Sequence, residues 1–200
     1  MRGRIGGYQF VRQRGEGGMG SVYEAAADQT GQRVALKLLL PHLSQQPEVV
    51  KRFLNEARAV AGLSNEHVAR VLDFGKTEDG APYLVMERLE GACLATPLLD
   101  RGPLPMPEAV DYVLQVCEAL AEAHARGIVH RDIKPENLFL TRRLDGDPIV
   151  KVLDFGISKQ PPNKAVQTLT NPSSSMGSPC YMSPEQMRNA RAVDARTDIW

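Results

Sequence analysis

The spacing of hydrophobic residues changes near residue 90, and this change restricts the folds that the chain can adopt. Before it, short apolar runs separated by turn residues predict strands within residues 8–40, 68–74 and 82–88. One segment there, residues 47–61, has apolar side chains at intervals of three and four, which is typical of an amphipathic helix. Helical spacing dominates afterwards, above all over residues 107–126. The pattern predicts an α+β protein with a strand-rich first lobe and a mainly helical second lobe, joined near residues 87–91.

Composition and charge narrow the class of protein. The chain has 24 basic and 24 acidic side chains, so its formal net charge of zero gives no reason to expect nucleic acid or a membrane surface as a partner. Three scattered cysteines favour a reducing compartment and argue against structural zinc. No apolar run reaches the roughly 20 residues of a spanning helix, and the N-terminus lacks the apolar core of a signal peptide. We therefore expect a cytoplasmic protein with no membrane segment in this chain.

Residues 130–137, with the sequence His-Arg-Asp-Ile-Lys-Pro-Glu-Asn, place an acid, a lysine and an amide within six positions. Phosphoryl transfer needs these groups together, because an acid accepts the proton of the attacking hydroxyl, a cation stabilises the transferred group and an amide oxygen holds a metal ion. The candidates are Asp132, Lys134 and Asn137. A polar loop with a helix cap could have the same composition. The functional interpretation of the octapeptide therefore depends on its agreement with other segments.

A glycine-rich segment at residues 15–20 has the pattern G-x-G-x-x-G and is followed by Ser21 and Val22. Glycines let the backbone approach phosphates closely and donate N–H groups to them. A flexible turn is the alternative, and a dinucleotide-binding fold is another, but there the glycines open a helix. Here a strand-like sequence follows, which favours a glycine flap between two strands, lying over phosphates.

Lys37 ends a short apolar run and is a second candidate for the phosphates, although most lysines are simply exposed. The predicted helix at 47–61 offers two acids that could pair with it. Glu56 borders the apolar face of the helix, whereas Glu48 lies in the first turn, where an acid is favourable for the helix dipole alone. We therefore predict that Lys37 pairs with Glu56.

Five signals occur in one order along the chain: the glycine segment, Lys37, the octapeptide, Asp154-Phe155-Gly156 and Ser183-Pro184-Glu185. With them, the chain resembles the eukaryotic-like (Hanks-type) serine/threonine protein kinases, and its glycine segment is most similar to that of bacterial members. The resemblance covers about residues 8–200. It implies a bilobal kinase fold, ATP and Mg²⁺ (or Mn²⁺) as cofactors, and protein substrates. On this basis we expect an N-terminal extension at 1–7, an N-lobe at 8–89 and an incomplete C-lobe at 90–200.

The resemblance assigns roles to the polar residues. Asp132 is expected to act as the base that accepts the proton of the substrate hydroxyl, and Lys134 to contact the γ-phosphate. Lys37 would contact the α- and β-phosphates and pair with Glu56. Asn137 and Asp154 would ligate Mg²⁺. A second Asp-Phe-Gly, at residues 73–75, precedes the octapeptide and is interpreted as the end of a strand.

The resemblance also implies an adenine site and a stack of side chains between the lobes. Adenine would bond to the backbone of Glu87 and Leu89 beside Met86, and the ring would lie between Val22, Ala35 and Phe139. Simple core packing explains these apolar residues equally well. The phosphates would lie under the glycine segment, formed by Gly15, Glu16, Gly17, Gly18, Met19 and Gly20. The stack would contain Val60, Leu72, His130 and Phe155.

Residues 157–182 occupy the position that the activation segment has in these kinases. A disordered polar loop would have a similar sequence. Phosphorylation is expected here, with autophosphorylation within a homodimer as one route. Arg131 is either a surface arginine or the receptor of the added phosphate, and the motif favours the receptor. The candidate sites are Thr168, Thr170, Ser173, Ser174 and Ser175. Ser178 would lie near the catalytic residues.

Two departures from the family pattern concern the ends of the site. An apolar residue usually precedes the first glycine, whereas this chain has Arg14. Asp198 would brace the octapeptide from the start of a central helix, which the chain enters only at its last residues. The sequence therefore predicts a serine/threonine protein kinase with an incomplete C-lobe. The alternative is a truncated or pseudokinase-like module that binds nucleotide or a partner with little activity.

Overall fold

The structure is a computed structural model that describes residues 3–17, 20–155, 179–189 and 193–200. Nine strands lie in two sheets in this part of the chain. The first sheet has the order β1-β2-β3-β4-β6-β5 and the second the order β7-β8-β9. In the first sheet the strands are β1 (Arg4–Ile5), β2 (Tyr8–Glu16), β3 (Gly20–Ala27), β4 (Arg33–Leu39), β5 (Val71–Lys76) and β6 (Pro82–Glu87). The second contains β7 (Ala92–Cys93), β8 (Leu138–Arg142) and β9 (Pro148–Val152).

The helices of the described part are mostly in its second half. They are α1 (Pro41–Ser44), α2 (Pro47–Ala61), α3 (Ala95–Arg101), α4 (Met106–Ala125) and α5 (Pro184–Asn189). Short 3₁₀ helices lie at Pro135–Asn137, Pro179–Tyr181 and Ala195–Ile199. The predicted α+β class is confirmed, and the change of character near residue 90 falls between the end of β6 and the start of β7. Residues 4–5, expected in an extension, pair with β2 instead.

The two faces of the first sheet bury different residues because side chains alternate along each strand. Val34 and Leu36 pack on one face, in a cluster with Ala25, Tyr83 and Val85. Ala35 and Lys37 therefore lie on the opposite face, where α2 also packs. Phe53 and Ala57 of α2 are almost fully buried there, in contact with a cluster that includes Leu84. This second face is the one that lines the site.

The second half is built around α4, whose apolar face packs on β9. Ala119 and Ala123 are fully buried, and they share a cluster with Val150, Val152 and Phe155. A single parallel bridge between Val68 and Val152 connects the segment before β5 to β9. Its hydrogen bonds are Ala69 N to Val152 O at 3.0 Å and Val152 N to His67 O at 2.8 Å. The backbone itself therefore joins the two halves beside the site.

Candidate active site

The octapeptide forms a loop after α4 that is held by one buried carboxylate. Asp198 accepts the backbone N–H of His130 on Oδ2 and that of Arg131 on Oδ1, both at 2.7 Å. His124 of α4 also contacts Asp198 Oδ2, at 2.8 Å. Arg131 has a φ of 66°, a conformation that non-glycine residues rarely adopt without external support. The predicted brace is therefore present, and it stabilises an unfavourable backbone conformation directly before Asp132.

His130 is fully buried beneath this loop. Its Nε2 lies 2.8 Å from Leu153 O, which can only accept, and its Nδ1 accepts the backbone N–H of Asp132 at 3.2 Å. Both contacts fit a neutral imidazole with the proton on Nε2. Burial lowers the pKa of His130, with the Leu153 carbonyl and the nearby carboxylates acting in the opposite direction. The neutral ring therefore fixes Asp132 relative to the chain segment that carries Asp154.

Asp132, Lys134 and Asn137 come together as the sequence predicted. Lys134 Nζ lies 3.5 Å from Asp132 Oδ2. Asn137 Nδ2 donates to Asp132 O at 2.7 Å and also to its carboxylate. Asn137 ends the 3₁₀ helix at Pro135–Asn137, and its own carbonyl accepts the N–H of Leu153 at 2.8 Å. The amide of Asn137 thus points its nitrogen at Asp132, which leaves its oxygen as the atom suited to a cation.

Lys37 joins the first sheet to the second half of the chain. Its Nζ lies 2.7 Å from Asp154 Oδ1, and only 11% of the lysine side chain is exposed. Asp154, with a φ of 51°, is the second non-glycine residue with positive φ among the described residues. Glu56 is half-buried on α2. Its pairing with Lys37 stays a prediction.

The donor set at this point suits a hard cation that is shared with a ligand. Asn137 and Asp154 offer an amide oxygen and a carboxylate, the donor types that Mg²⁺ prefers. Within the described ranges, no group of three or more His, Cys, Asp or Glu side chains could hold a metal. Mg²⁺ typically takes one or two protein carboxylates and completes its shell with water and phosphate oxygens. The residues present therefore fit a cation that binds together with a nucleotide.

The glycine segment lies between two antiparallel strands, as predicted, and opens no helix. Gly15 pairs with Val22 across β2 and β3, and Gly17 N donates to Gly20 O at 2.9 Å. A Cβ on Gly20 would lie 2.4 Å from Leu38 O, so only glycine fits at this position. Gly18 and Met19 lie outside the described residues. The hairpin excludes the alternative of a dinucleotide-binding fold, where a helix follows the glycines.

Most of the residues predicted for the adenine site lie on this sheet face or in the connection at residues 87–91, which is called the hinge below. Val22 pairs with Lys37, and Ala35 pairs with Met86, so these side chains share the face on which Lys37 lies. Glu87 accepts the N–H of Arg70 at 2.8 Å and the Lys151 ammonium at 2.7 Å. Its side chain therefore ties the hinge to β9. Leu89 and Phe139 are both half-buried.

One member of the predicted stack is wrong. His130 and Phe155 are in contact, with ring centroids 4.9 Å apart, and Val60 lies in the same buried cluster as Phe155. Leu72, however, is 38% exposed, and Val71 packs on that cluster in its place. The register of β5 against β6 shifts between Val71 and Asp73, and a bulge of this kind turns a side chain to the other face of a sheet.

The Arg131 guanidinium has one buried nitrogen that could accept a further partner. Its Nε is buried and has no hydrogen-bond partner among the residues that the structure describes. Its carbonyl accepts Gln186 Nε2 at 2.8 Å, which links the octapeptide to α5. The proposed phosphosites and Ser178 lie outside the described residues. The role of Arg131 as a phosphate receptor stays a prediction.

Sequence reasoning missed two polar clusters in the first sheet. Asp73 of the second Asp-Phe-Gly accepts the hydroxyls of Tyr8 and Tyr83 at 3.2 and 3.5 Å, which connects the two ends of the curled sheet. Burial and the nearby Asp73 carboxylate raise the pKa of Tyr8 to about 12. Glu24 gathers four arginines at the outer edge of the site. The excess of arginine near the N-terminus was the only signal for the second cluster.

Comparison with known proteins decides the family. The sequence profile of the protein kinase domain matches residues 8–200. The chain belongs to the protein kinase family. Its sequence relatives include the serine/threonine-protein kinase Pkn1 of Myxococcus xanthus, which is 46% identical over 197 residues, covering 98% of this chain and 28% of Pkn1. A probable serine/threonine-protein kinase of Corynebacterium glutamicum, PknB, is 39% identical over 196 residues, covering 96% of this chain and 29% of that protein.

Solved structures agree with this kinase assignment. The crystal structure of the Mycobacterium tuberculosis PknI kinase domain superimposes with a TM-score of 0.76 at 32% identity, over 98% of this chain and 71% of that one. The kinase domain described here is of the bacterial Hanks type, and it spans about 28% of the length of curated relatives such as Pkn1. None of the helices in the described ranges is long and apolar enough to cross a membrane.

Proposed function

We propose that this kinase domain transfers the γ-phosphate of ATP to serine and threonine hydroxyls of protein substrates. The observation that carries the proposal is the contact of Lys37 with Asp154 and of Asp132 with Lys134 and Asn137. The hydrogen bond from Leu153 N to Asn137 O brings these two groups side by side. The transferred phosphoryl group has a loose transition state, so catalysis rests on position and charge. These five side chains supply both.

Each residue has a defined task in this proposal. Asp132 orients the substrate hydroxyl and accepts its proton, because its carboxylate is fixed by Asn137 and its backbone by His130. Lys134 stabilises charge on the γ-phosphate. Lys37 binds the α- and β-phosphates, with Glu56 as its second acidic partner. Bound Mg²⁺ or Mn²⁺ would neutralise phosphate charge, held by Asn137 and Asp154.

The nucleotide would enter beneath the glycine hairpin. Its adenine would bond to the backbone of Glu87 and Leu89 and lie among Val22, Ala35, Met86 and Phe139. The proposed phosphate cradle consists of Gly15, Glu16, Gly17, Gly18, Met19 and Gly20. We further propose that the domain acts in the cytoplasm, where ATP is available and its free cysteines stay reduced. A homodimer would allow autophosphorylation.

The test is phosphate transfer from labelled ATP and Mg²⁺ to a generic basic protein, followed by identification of the modified residue type. Phosphoserine and phosphothreonine are expected with the parent, and a large loss is expected with Lys37→Met. Lys76→Met is the matched control, since Lys76 is an exposed lysine at the end of β5. A parent that binds ATP and transfers no phosphate would overturn the proposal in favour of a pseudokinase-like module. Phosphotyrosine alone would overturn the proposed specificity.

A further inference from the structure

Glu24, on β3, is a buried carboxylate surrounded by arginines. Only 6% of the residue is exposed. Its Oε2 lies 2.9 Å from Arg12 Nε and 3.1 Å from Arg14 Nε. Its Oε1 lies 3.3 Å from Arg88 Nε and 3.8 Å from Arg33 Nη1. Four cations around one carboxylate exceed what is needed to neutralise it, so the arrangement calls for an explanation beyond charge balance.

The pairing of strands places Glu24 on the face that lines the nucleotide site. Glu24 lies two residues after Val22 on β3 and directly opposite Ala35 on β4. Side chains two residues apart, or opposite each other in a pair, share a face of the sheet. Lys37 is on this face, and its Nζ reaches Asp154. On this face, Lys37 and Val22 form one cross-strand pair, and Ala35 and Glu24 form the next pair towards the hinge.

Arg14 connects Glu24 to the glycine segment. Arg14 directly precedes Gly15, and the register of β2 against β3 shifts between Gln13 and Gly15, which makes Arg14 the extra residue of a bulge. A bulge re-aims the side chain that it carries. The guanidinium of Arg14 meets the same oxygen of Glu24 that Arg12 contacts. Glu24 thus fixes the strand at the point where the glycine segment begins.

Arg88 connects Glu24 to the hinge by an ion pair, since its buried Nε lies 3.3 Å from Glu24 Oε1 but forms no hydrogen bond with the described residues. It follows Glu87, the last residue of β6, and its side chain is 27% exposed. Besides Glu24 it contacts Glu90 at 2.6 Å. The hydrogen bond from Arg12 holds the pKa of Glu24 below its usual value against the opposing effect of burial, and Arg88 and Arg14 lower it further. Glu24 is therefore ionised at neutral pH and keeps both connections.

We propose that Glu24 is a positioning residue for nucleotide binding, because it ties the start of the glycine segment to the hinge through Arg14 and Arg88. This inference rests on the proposed function, since it assumes that the nucleotide binds between these two elements. Without the carboxylate, the guanidinium groups on β2, β4 and the hinge would repel one another. The first strand of the glycine hairpin would then move away from the hinge, and the cleft would open at its adenine end.

The test compares Glu24→Gln with the parent by titration with ADP and Mg²⁺, which needs no phosphate transfer. The dissociation constant for ADP should rise roughly three- to ten-fold, the range expected when one pairwise interaction is lost. The turnover number at saturating ATP should stay close to that of the parent, because no catalytic group has moved. The effects of Arg14→Gln and Glu24→Gln should not multiply in the double variant, because both break the same connection.

Glu66→Gln is the matched control. Glu66 also pairs with an arginine, at 2.8 Å from Arg143 Nη2, but it is exposed and away from the cleft, so ADP affinity should be unchanged. If Glu24→Gln does not fold, Arg14→Gln and Arg88→Gln take its place, and each should weaken ADP binding. Unchanged affinity in these variants, or effects that multiply, would overturn the inference. A parent that binds no ADP would instead overturn the proposed function on which the inference rests.

Discussion

Two regions of the molecule each use one carboxylate to hold neighbouring segments in place, but they do so in different ways. They are the proposed catalytic loop at residues 130–137 and the Glu24 cluster, formed by Glu24 with its four arginines. In the catalytic loop, a carboxylate with a fully buried side chain, Asp198, accepts two backbone N–H groups at 2.7 Å. In the Glu24 cluster, a buried carboxylate contacts the ends of long arginine side chains, three of which are 43–57% exposed. Because the hydrogen bonds to Asp198 come from the backbone, they leave the loop that carries Asp132 little freedom to move. Arginine side chains can follow a strand that moves, which suits the cover of a nucleotide cleft.

The two regions should also differ in their contribution to the free energy of unfolding and in their response to salt. Removing one partner of a buried, fully paired charge leaves the remaining groups unsatisfied and is strongly destabilising. Three of the four arginines around Glu24 are largely exposed, so the loss of one of them costs little and salt screens their charges. We therefore expect the catalytic loop to dominate stability and the Glu24 cluster to affect nucleotide affinity. The following changes test that division, from the largest expected effect to the smallest.

The largest effect is expected for Asp198→Asn. The amide would lose the charge and direct its NH₂ group at one of the two backbone N–H groups that Asp198 now accepts. We expect a loss of about 3 kcal/mol in the free energy of unfolding, the scale for breaking a buried charged arrangement. Denaturation by urea, followed by circular dichroism, measures it.

Asp194→Asn is the control for that change. Asp194 lies four residues earlier, has a side chain that is 59% exposed, and pairs with Arg196 on the surface. The urea midpoint of the Asp194→Asn variant should stay close to that of the parent. Equal shifts for the two aspartates would show that burial of Asp198 does not matter, and the contrast between the two regions would fail.

A smaller effect is expected from the protonation of His130. Its pKa is lowered in the folded protein, so the unfolded chain binds the proton first as the pH falls. The stabilisation is present above the ordinary pKa of 6.5 and is lost as the pH falls below it, by at most about 1.4 kcal/mol per pH unit. Urea midpoints between about pH 7 and pH 5 measure this slope. The slope should decrease in His130→Gln, and an unchanged slope would contradict the neutral, buried imidazole.

The smallest effect is expected for Arg12→Gln. Arg12 is 57% exposed, and Glu24 keeps three other arginines when it is removed. We expect an unchanged denaturation midpoint and a slightly weaker affinity for ADP at low salt. The difference from the parent should disappear at high salt, where exposed charges are screened. A difference that persists at high salt would mean that the cluster acts by packing and not by charge.

The sequence was informative wherever the function depends on a short continuous segment. Asp132, Lys134 and Asn137 meet because they lie within six residues of one loop, so their contact required no knowledge of the sheet. The glycine hairpin was predicted for the same reason. The position of Asp198 was predicted through the family resemblance, since 61 residues separate it from Asn137 and no local rule brings them together.

The sequence failed where strand register decides which residues meet. Glu24 collects arginines from two strands, β2 and β4, and from the hinge, through pairings and a bulge at Arg14 that no periodicity reveals. Leu72 was predicted inside the stack through the family resemblance, which carries no information on the register of this strand. A bulge between Val71 and Asp73 gives that place to Val71 instead. A one-residue shift moves every later side chain to the opposite face, so such errors follow from a single local irregularity.

The most direct test of the account is Asp132→Asn, measured for phosphate transfer and for ADP affinity in the same preparation. If Asp132 accepts the proton of the substrate hydroxyl, transfer to a basic protein should fall by about 10²- to 10⁴-fold. ADP affinity should be unchanged, because in this proposal Asp132 acts on the substrate hydroxyl, beside Lys134 and Asn137, and not on the nucleotide. Transfer at the parent's rate by the Asp132→Asn variant would contradict the central claim that this carboxylate carries the chemistry.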